Sequence, residues 1–150
     1  MAKSALGADL FVPTSHFATT YEALQHIKSQ TDDETPAPFV VALETTAASK
    51  LYTSVDYRPY FVPTQNGAQS AAKSQGIALI LGNEVTGVDV ELLEPLLQEN
   101  GNEAQKTLVD AIVELPTHGQ KNSLNVAAVA PVILYEILRQ WDSTNTEPKQ

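Results

Sequence analysis

Leu115-Pro-Thr-His-Gly-Gln-Lys-Asn-Ser-Leu-Asn-Val126, running directly into the apolar, alanine-rich segment from Ala127 to Trp141, decides the fold of this chain. A β-type run, Ala111 to Leu115, is stopped by Pro116, which cannot donate to a strand ladder. A polar loop with one glycine follows. Asn122, Ser123 and Asn125 then stand where a helix must begin, and all three are residues whose short side chains accept a bond from an otherwise orphaned backbone N–H. The stretch therefore reads as a strand-to-helix junction. Its helix spans Ser123 to about Trp141, with a kink expected at Pro131. Exposed donors and the positive end of a helix dipole make such a junction a pocket for a polar ligand. From physics alone the identity of that ligand stays open.

Upstream, two more segments read as strands buried on both faces. Phe39-Val-Val-Ala-Leu43 and Gly76-Ile-Ala-Leu-Ile-Leu81 are continuous apolar runs without polar alternation, the pattern of a parallel sheet. Glu44-Thr-Thr-Ala-Ala-Ser49 leaves the C-terminal end of the first, where ligand crevices form in open α/β sheets. Gly82-Asn-Glu-Val-Thr-Gly87 is a sharp turn after the second. Val88 to Glu99 reads as a helix with Val90, Leu93 and Leu97 in phase, shortened or kinked by Pro95. Lys50 to Gln75 carries most of the tyrosines and is broken by Pro59, Pro63 and Asn66-Gly67, so it is a long loop with room for one short strand. Near the start, Asp9-Leu-Phe-Val-Pro13 reads as a short strand closed by proline. Thr14 or Ser15 is positioned to cap a helix from about Ala18 to Lys28, and Ser29 to Pro38 is an acidic, proline-rich loop. Strands alternating with helices predict an α/β fold, a parallel sheet flanked by helices.

The 150 residues suffice for one domain with a real core. There is no cysteine, which excludes disulfide staples and Cys-based zinc sites and fits a reducing compartment. No apolar run approaches the ~20 residues that span a bilayer, and the first nine residues lack the apolar core of a signal peptide. The expectation is an intracellular, cytoplasmic protein. The formal net charge is −9, with nine Lys and Arg in all. Such a balance weighs against strong nucleic-acid binding by this chain on its own, because phosphate contacts need cations.

Leu115-Pro116…Gly119…Ser123-Leu124-Asn125-Val126 resembles the third motif of the SpoU (TrmH-type) RNA 2′-O-ribose methyltransferases of the SPOUT superfamily. Leu79-Ile-Leu-Gly-Asn-Glu-Val-Thr-Gly-Val88 resembles their second motif, in the same order. Two ordered motifs are far more specific than one Ser-Leu-Asn. The resemblance implies a SPOUT α/β-knot, with a trefoil knot at the C-terminal end, one of the rare exceptions to unknotted connectivity. It also implies S-adenosylmethionine as methyl donor, an RNA substrate (tRNA or rRNA), and a homodimer formed through the C-terminal helix, toward which Tyr135, Ile137, Leu138 and Trp141 would contribute apolar surface.

Carried over position by position, the resemblance assigns Glu84, Ser123 and Asn125 to the catalytic loops. It assigns Leu43, Gly82, Leu115 and Leu124 to cofactor binding, mainly through main-chain groups. Gly82 would let the backbone approach the cofactor, since a side chain would block it. Each residue also has a plainer reading: Glu84 as a turn carboxylate, Gly82 and Gly87 as turn glycines, Ser123 and Asn125 as helix caps, and the leucines as core. His16, His26 and His118 read as surface or loop histidines without a metal set. Lys121 is a candidate for a nearby phosphate or carboxylate.

The similarity covers residues 3 to 141, giving a methyltransferase domain over 1–141 that lacks its N-terminal portion and a polar tail over 142–150. In the family that portion holds a first motif, an Asn followed by an Arg that activates the ribose 2′-OH. Arg58 and Arg139, the two arginines, are not in that context, and Asp32 to Pro38 and Gln98 to Lys106 are inserts against the family pattern. Two functions follow from these features: a methyltransferase whose cofactor-binding part is this chain, or a non-catalytic truncated module that dimerises and holds the cofactor.

Overall fold

A computed structural model describes residues 11–31, 36–61, 76–97, 108–118 and 124–145. Four strands, β1 (Phe39–Leu43), β2 (Lys50–Leu51), β3 (Ile77–Leu81) and β4 (Ala111–Glu114), accompany three helices, α1 (Thr20–Ser29), α2 (Val90–Leu97) and α3 (Val126–Asn145). The strands form one sheet in the order β2-β4-β1-β3, and every neighbouring pair is parallel. Leu43 lies opposite Leu81 on one side and Val113 on the other, so the three long strands end together at one edge. At the opposite edge Asp110 extends the ladder: its carboxylate accepts the Val40 N–H at 2.7 Å, and its own N–H donates to the Val40 carbonyl at 2.8 Å.

The period-2 alternation of β-strand side chains divides the core into two layers. Val40, Ala42, Ile80 and Ile112 face Leu24 of α1 and Leu92 and Leu93 of α2. Val41 and Val113 face Ile133 and Ile137 of α3, together with Tyr57. Both faces of β1 are therefore covered, which is why its sequence is apolar throughout. Each of these buried Val, Leu and Ile side chains stabilises the fold by roughly 1.5–3 kcal/mol.

Several expectations are corrected. Residues 11–13 are no strand: Phe11 is 86% and Val12 64% exposed, and a strand needs a partner to satisfy its backbone. Residues 9 and 10 lie outside the described residues. α1 is capped by Thr19 rather than Thr14 or Ser15. The Thr19 hydroxyl accepts the Glu22 N–H at 3.1 Å while the Glu22 carboxylate accepts the Ala18 N–H at 3.2 Å, a reciprocal arrangement close to a capping box. Of the expected phase Val90, Leu93 and Leu97, Leu93 is buried together with Leu92 and with Val88 just before α2, Val90 is 59% exposed, and the Leu97 side chain lies outside the described set. Val88, anchored in the preceding turn, joins Leu92 and Leu93 in the same core cluster. Of the loop at 50–75, residues 50–61 hold β2 and two short 3-10 turns, Tyr52–Ser54 and Arg58–Tyr60, and residues 62–75 lie outside the described set. α3 contains Pro131 and continues to Asn145, so four residues assigned to the tail are helical.

The C-terminal half of α3 is tied to the segment after β2 by polar bonds. Gln140 accepts the Tyr57 N–H at 2.8 Å and donates to the Val55 carbonyl at 3.0 Å. The Trp141 indole donates to the Tyr57 carbonyl at 2.9 Å, and its ring lies 5.5 Å from that of Phe61. Trp141, expected on an exposed interface, is instead half-buried in the fold. No helix among the described residues is long and apolar enough to cross a membrane.

Candidate functional site

At the edge where β1, β3 and β4 end, three chain segments enclose a hollow of about 460 Å³, within the size range of small-molecule sites. Leu43 to Thr46, leaving β1, form its floor. The 82–88 turn, leaving β3, forms one wall. Leu115 and Thr117 beyond β4, with Leu124, Val126 and Val129 at the start of α3, form the other. Parallel pairing puts all these exits at the same edge, which is where open α/β sheets bind ligands.

The 82–88 turn is tightly determined. Asn83 and Gly87 exchange backbone bonds at 3.0 and 2.9 Å, and the Asn83 side chain accepts the Val85 N–H at 2.8 Å and the Thr86 N–H at 3.3 Å. Gly87 adopts φ +72°, a left-handed conformation that glycine takes without penalty. A Cβ on Gly82 would collide with the Gly87 carbonyl carbon and the Val88 nitrogen. Gly82 is thus glycine because the turn folds back on it. Gly82 also lines the hollow, where the resemblance expects a ligand to approach its backbone.

Of the residues singled out from the sequence, Leu43, Gly82, Glu84, Leu115 and Leu124 all line the hollow. Glu84 is exposed on its rim and Leu124 is 53% exposed. Asn125 stands beside the hollow and caps α3, its side-chain oxygen accepting the Ala127 N–H at 2.9 Å. Ser123, Lys121 and Gly119 lie outside the described residues. His118 is exposed and is not among the lining residues. Among the described residues no group of three His, Cys, Asp or Glu side chains could hold a metal.

The sequence placed the segment beginning at Glu44 at a ligand crevice but assigned no role to the Glu44 side chain, which lines the hollow. Its signal was a carboxylate placed directly after five apolar strand residues, where a charge must find a partner or water. Glu44 and Glu84 are the charged residues among the described lining, which includes no Lys, Arg or His. Both arginines line a different, shallower hollow beside Thr53, Ser54 and Gln140. Each is paired with a carboxylate, Arg58 with Asp56 at 2.8 Å and Arg139 with Glu136 at 2.7 Å.

The model of the SpoU rRNA methylase family matches residues 1–135. The 23S rRNA (guanosine(2553)-2′-O)-methyltransferase RlmP of Bacillus subtilis (strain 168) is 40% identical over 80 residues, which are 52% of this chain and 27% of that protein. The chain thus spans about a quarter of that relative's length. A TrmH/SpoU tRNA modifying enzyme of A. aeolicus superposes with a TM-score of 0.65 at 21% identity, over 97% of this chain and 56% of that one. A protein of Bacillus anthracis superposes with a TM-score of 0.58 at 18% identity, over the whole of this chain and 76% of that one. At such identities the two structures speak for the fold.

Proposed function

The chain belongs to the SpoU rRNA methylase family, and from that premise we propose that it serves S-adenosylmethionine-dependent 2′-O-methylation of RNA ribose, in rRNA or tRNA, as the cofactor-binding part of the enzyme. The observation that carries the reading is the hollow itself. Two chain turns of separate motifs meet there, and the described wall carries carboxylates and no cations. Such a wall suits a cationic methyl donor and disfavours a nucleotide phosphate.

Bound S-adenosylmethionine would supply an electrophilic methyl group on its sulfonium. The chain's part is to grip and orient. Main-chain groups around Leu43, Gly82, Leu115 and Leu124 would hold the donor, which explains why aliphatic residues form the site. Glu84 on the rim and Asn125 beside the start of α3 would shape the place where the ribose hydroxyl approaches, and the resemblance adds Ser123 to them. Holding donor and acceptor in line is the largest contribution such a site makes.

Two further features belong to the proposal. The last described strand, β4, lies between β1 and β2, an order compatible with a trefoil knot at the C-terminal end. α3 also presents an uncovered apolar stripe opposite its buried one. Val132, Leu134, Tyr135 and Leu138 are 40%, 49%, 73% and 48% exposed, a surface suited to a second copy of the chain and hence to a homodimer.

Incubation of the chain with methyl-labelled S-adenosylmethionine and bulk tRNA or rRNA tests the activity: label on ribose 2′-oxygens is expected, and its absence at saturating donor removes the catalytic assignment. A second reading, a module that binds the donor without turnover, is favoured by the two arginines being held in ion pairs away from the hollow. Calorimetric binding of S-adenosylmethionine without transfer would select it.

A further inference from the structure

Where β1 and β3 stop, their ladder bonds stop too, yet the segments leaving them remain side by side around the hollow. One side chain bridges them. The Glu44 carboxylate accepts the Val88 backbone N–H through Oε2 at 2.9 Å and the Thr45 N–H through Oε1 at 3.1 Å. Its own backbone N–H donates to the Val113 carbonyl at 3.0 Å. Glu44 is therefore pinned to β4 by its main chain while its side chain holds the turn that follows β3. Gly87 lies against the same carboxylate, and a Cβ there would run into Oε2. The left-handed Gly87, the closed 82–88 turn and the reach of Glu44 fit one another as a unit. Val88 is buried, so without this acceptor its N–H would be left unpaired away from water, which is costly.

We propose that Glu44 is a positioning residue of the methyl-donor hollow: by accepting the Val88 N–H it fixes where the 82–88 turn presents its main chain to the donor. Rather than acting on the reacting atoms, it holds the 82–88 turn against the segment that leaves β1. The inference rests on the cofactor reading above, and it competes with a simpler role for the same carboxylate, direct charge pairing with a cationic donor.

The variants Glu44→Gln and Glu44→Ala separate the two roles. Glutamine keeps a carbonyl oxygen for the Val88 N–H but no charge, and alanine keeps neither. Two measurements are made on the full chain. Amide hydrogen exchange at Val88 is read without any ligand, with Val40 and Val41 as controls for the sheet. Calorimetry then gives Kd for S-adenosylmethionine. Val88 protection is expected to survive in Glu44→Gln and to fall about tenfold or more in Glu44→Ala, the size of a lost charge-assisted bond. Donor Kd is expected within about threefold of the parent for Glu44→Gln and at least about tenfold weaker for Glu44→Ala. Equal weakening in both variants, with Val88 still protected in Glu44→Gln, overturns the proposal in favour of charge pairing. Unchanged Val88 protection in Glu44→Ala overturns it outright. Should Val40 and Val41 also lose protection in Glu44→Ala, Glu44→Gln decides by its Kd alone. A parent chain that does not bind the donor removes the cofactor reading instead, and Val88 exchange then decides the clamp.

Discussion

Tyr57 shows how a single residue can be well packed and poorly satisfied. Its side chain is fully buried between the sheet and α3, and its hydroxyl has no hydrogen-bond partner among the described residues. Burial, with the nearby Glu136 charge adding to it, pushes the phenol up to about 12. An orphaned buried hydroxyl costs on the order of 1–3 kcal/mol, so Tyr57→Phe is expected to leave the fold intact and raise its stability by about 1 kcal/mol, read as a higher denaturant midpoint at unchanged slope. Glu136 behaves oppositely. The Arg139 guanidinium bonds its carboxylate at both oxygens and, with the Gln140 amide, holds it below the usual 4.5 despite burial. A carboxylate whose folded value is lowered contributes stability that is present above 4.5 and is lost as pH falls through the folded value. Thermal melting of the parent should therefore fall more steeply below that pH than melting of Glu136→Gln. Parallel curves would mean that the Arg139 pair contributes nothing.

At the scale of elements, α3 does two jobs with opposite sides. Its buried residues Ile133, Ile137 and Gln140 grip the sheet and the Tyr57 segment, while the exposed stripe through Tyr135 and Leu138 is apolar and uncovered. A charge on the uncovered stripe should leave folding alone and disrupt self-association. Leu138→Glu is expected to convert a dimer to a monomer by light scattering, with unchanged far-ultraviolet dichroism; a parent chain that is already monomeric removes the dimer reading. The elements legible in the sequence were those whose signal is local. β1 and β3 are uninterrupted apolar runs, and the 82–87 turn is bounded by glycines. What escaped was set at a distance. Three hydroxyl residues precede α1, and only Thr19 has a Glu three positions on to complete its cap. β2 is two residues long and exists because Val113 and Glu114 lie beside it. Trp141 read as exposed because its partner, the Tyr57 carbonyl, lies 84 positions away. For the site, the lining leucines and Gly82 were legible from motif resemblance, whereas the reach of Glu44 to Val88 spans 44 positions and has no local signature.

For the whole molecule, charge sets a limit that the fold does not remove. The chain carries −9 with nine Lys and Arg, both arginines are in ion pairs, and the hollow's described wall is acidic. Nucleic-acid affinity that comes from phosphate neutralisation falls with salt in proportion to the number of contacts, about −0.7 per contact in a log–log plot for single strands. Few cations are available to gather on one face, so two or three contacts are the expected footprint. Titration of a labelled rRNA or tRNA fragment across salt concentrations should then give a slope no steeper than about −2, with weak affinity at physiological ionic strength. Donor binding should respond far less, because the hollow is small, partly enclosed and bounded by main-chain groups. A steep slope, on the order of −5 or beyond, would require a basic surface that the described residues do not display, and would place the RNA footprint in segments beyond them.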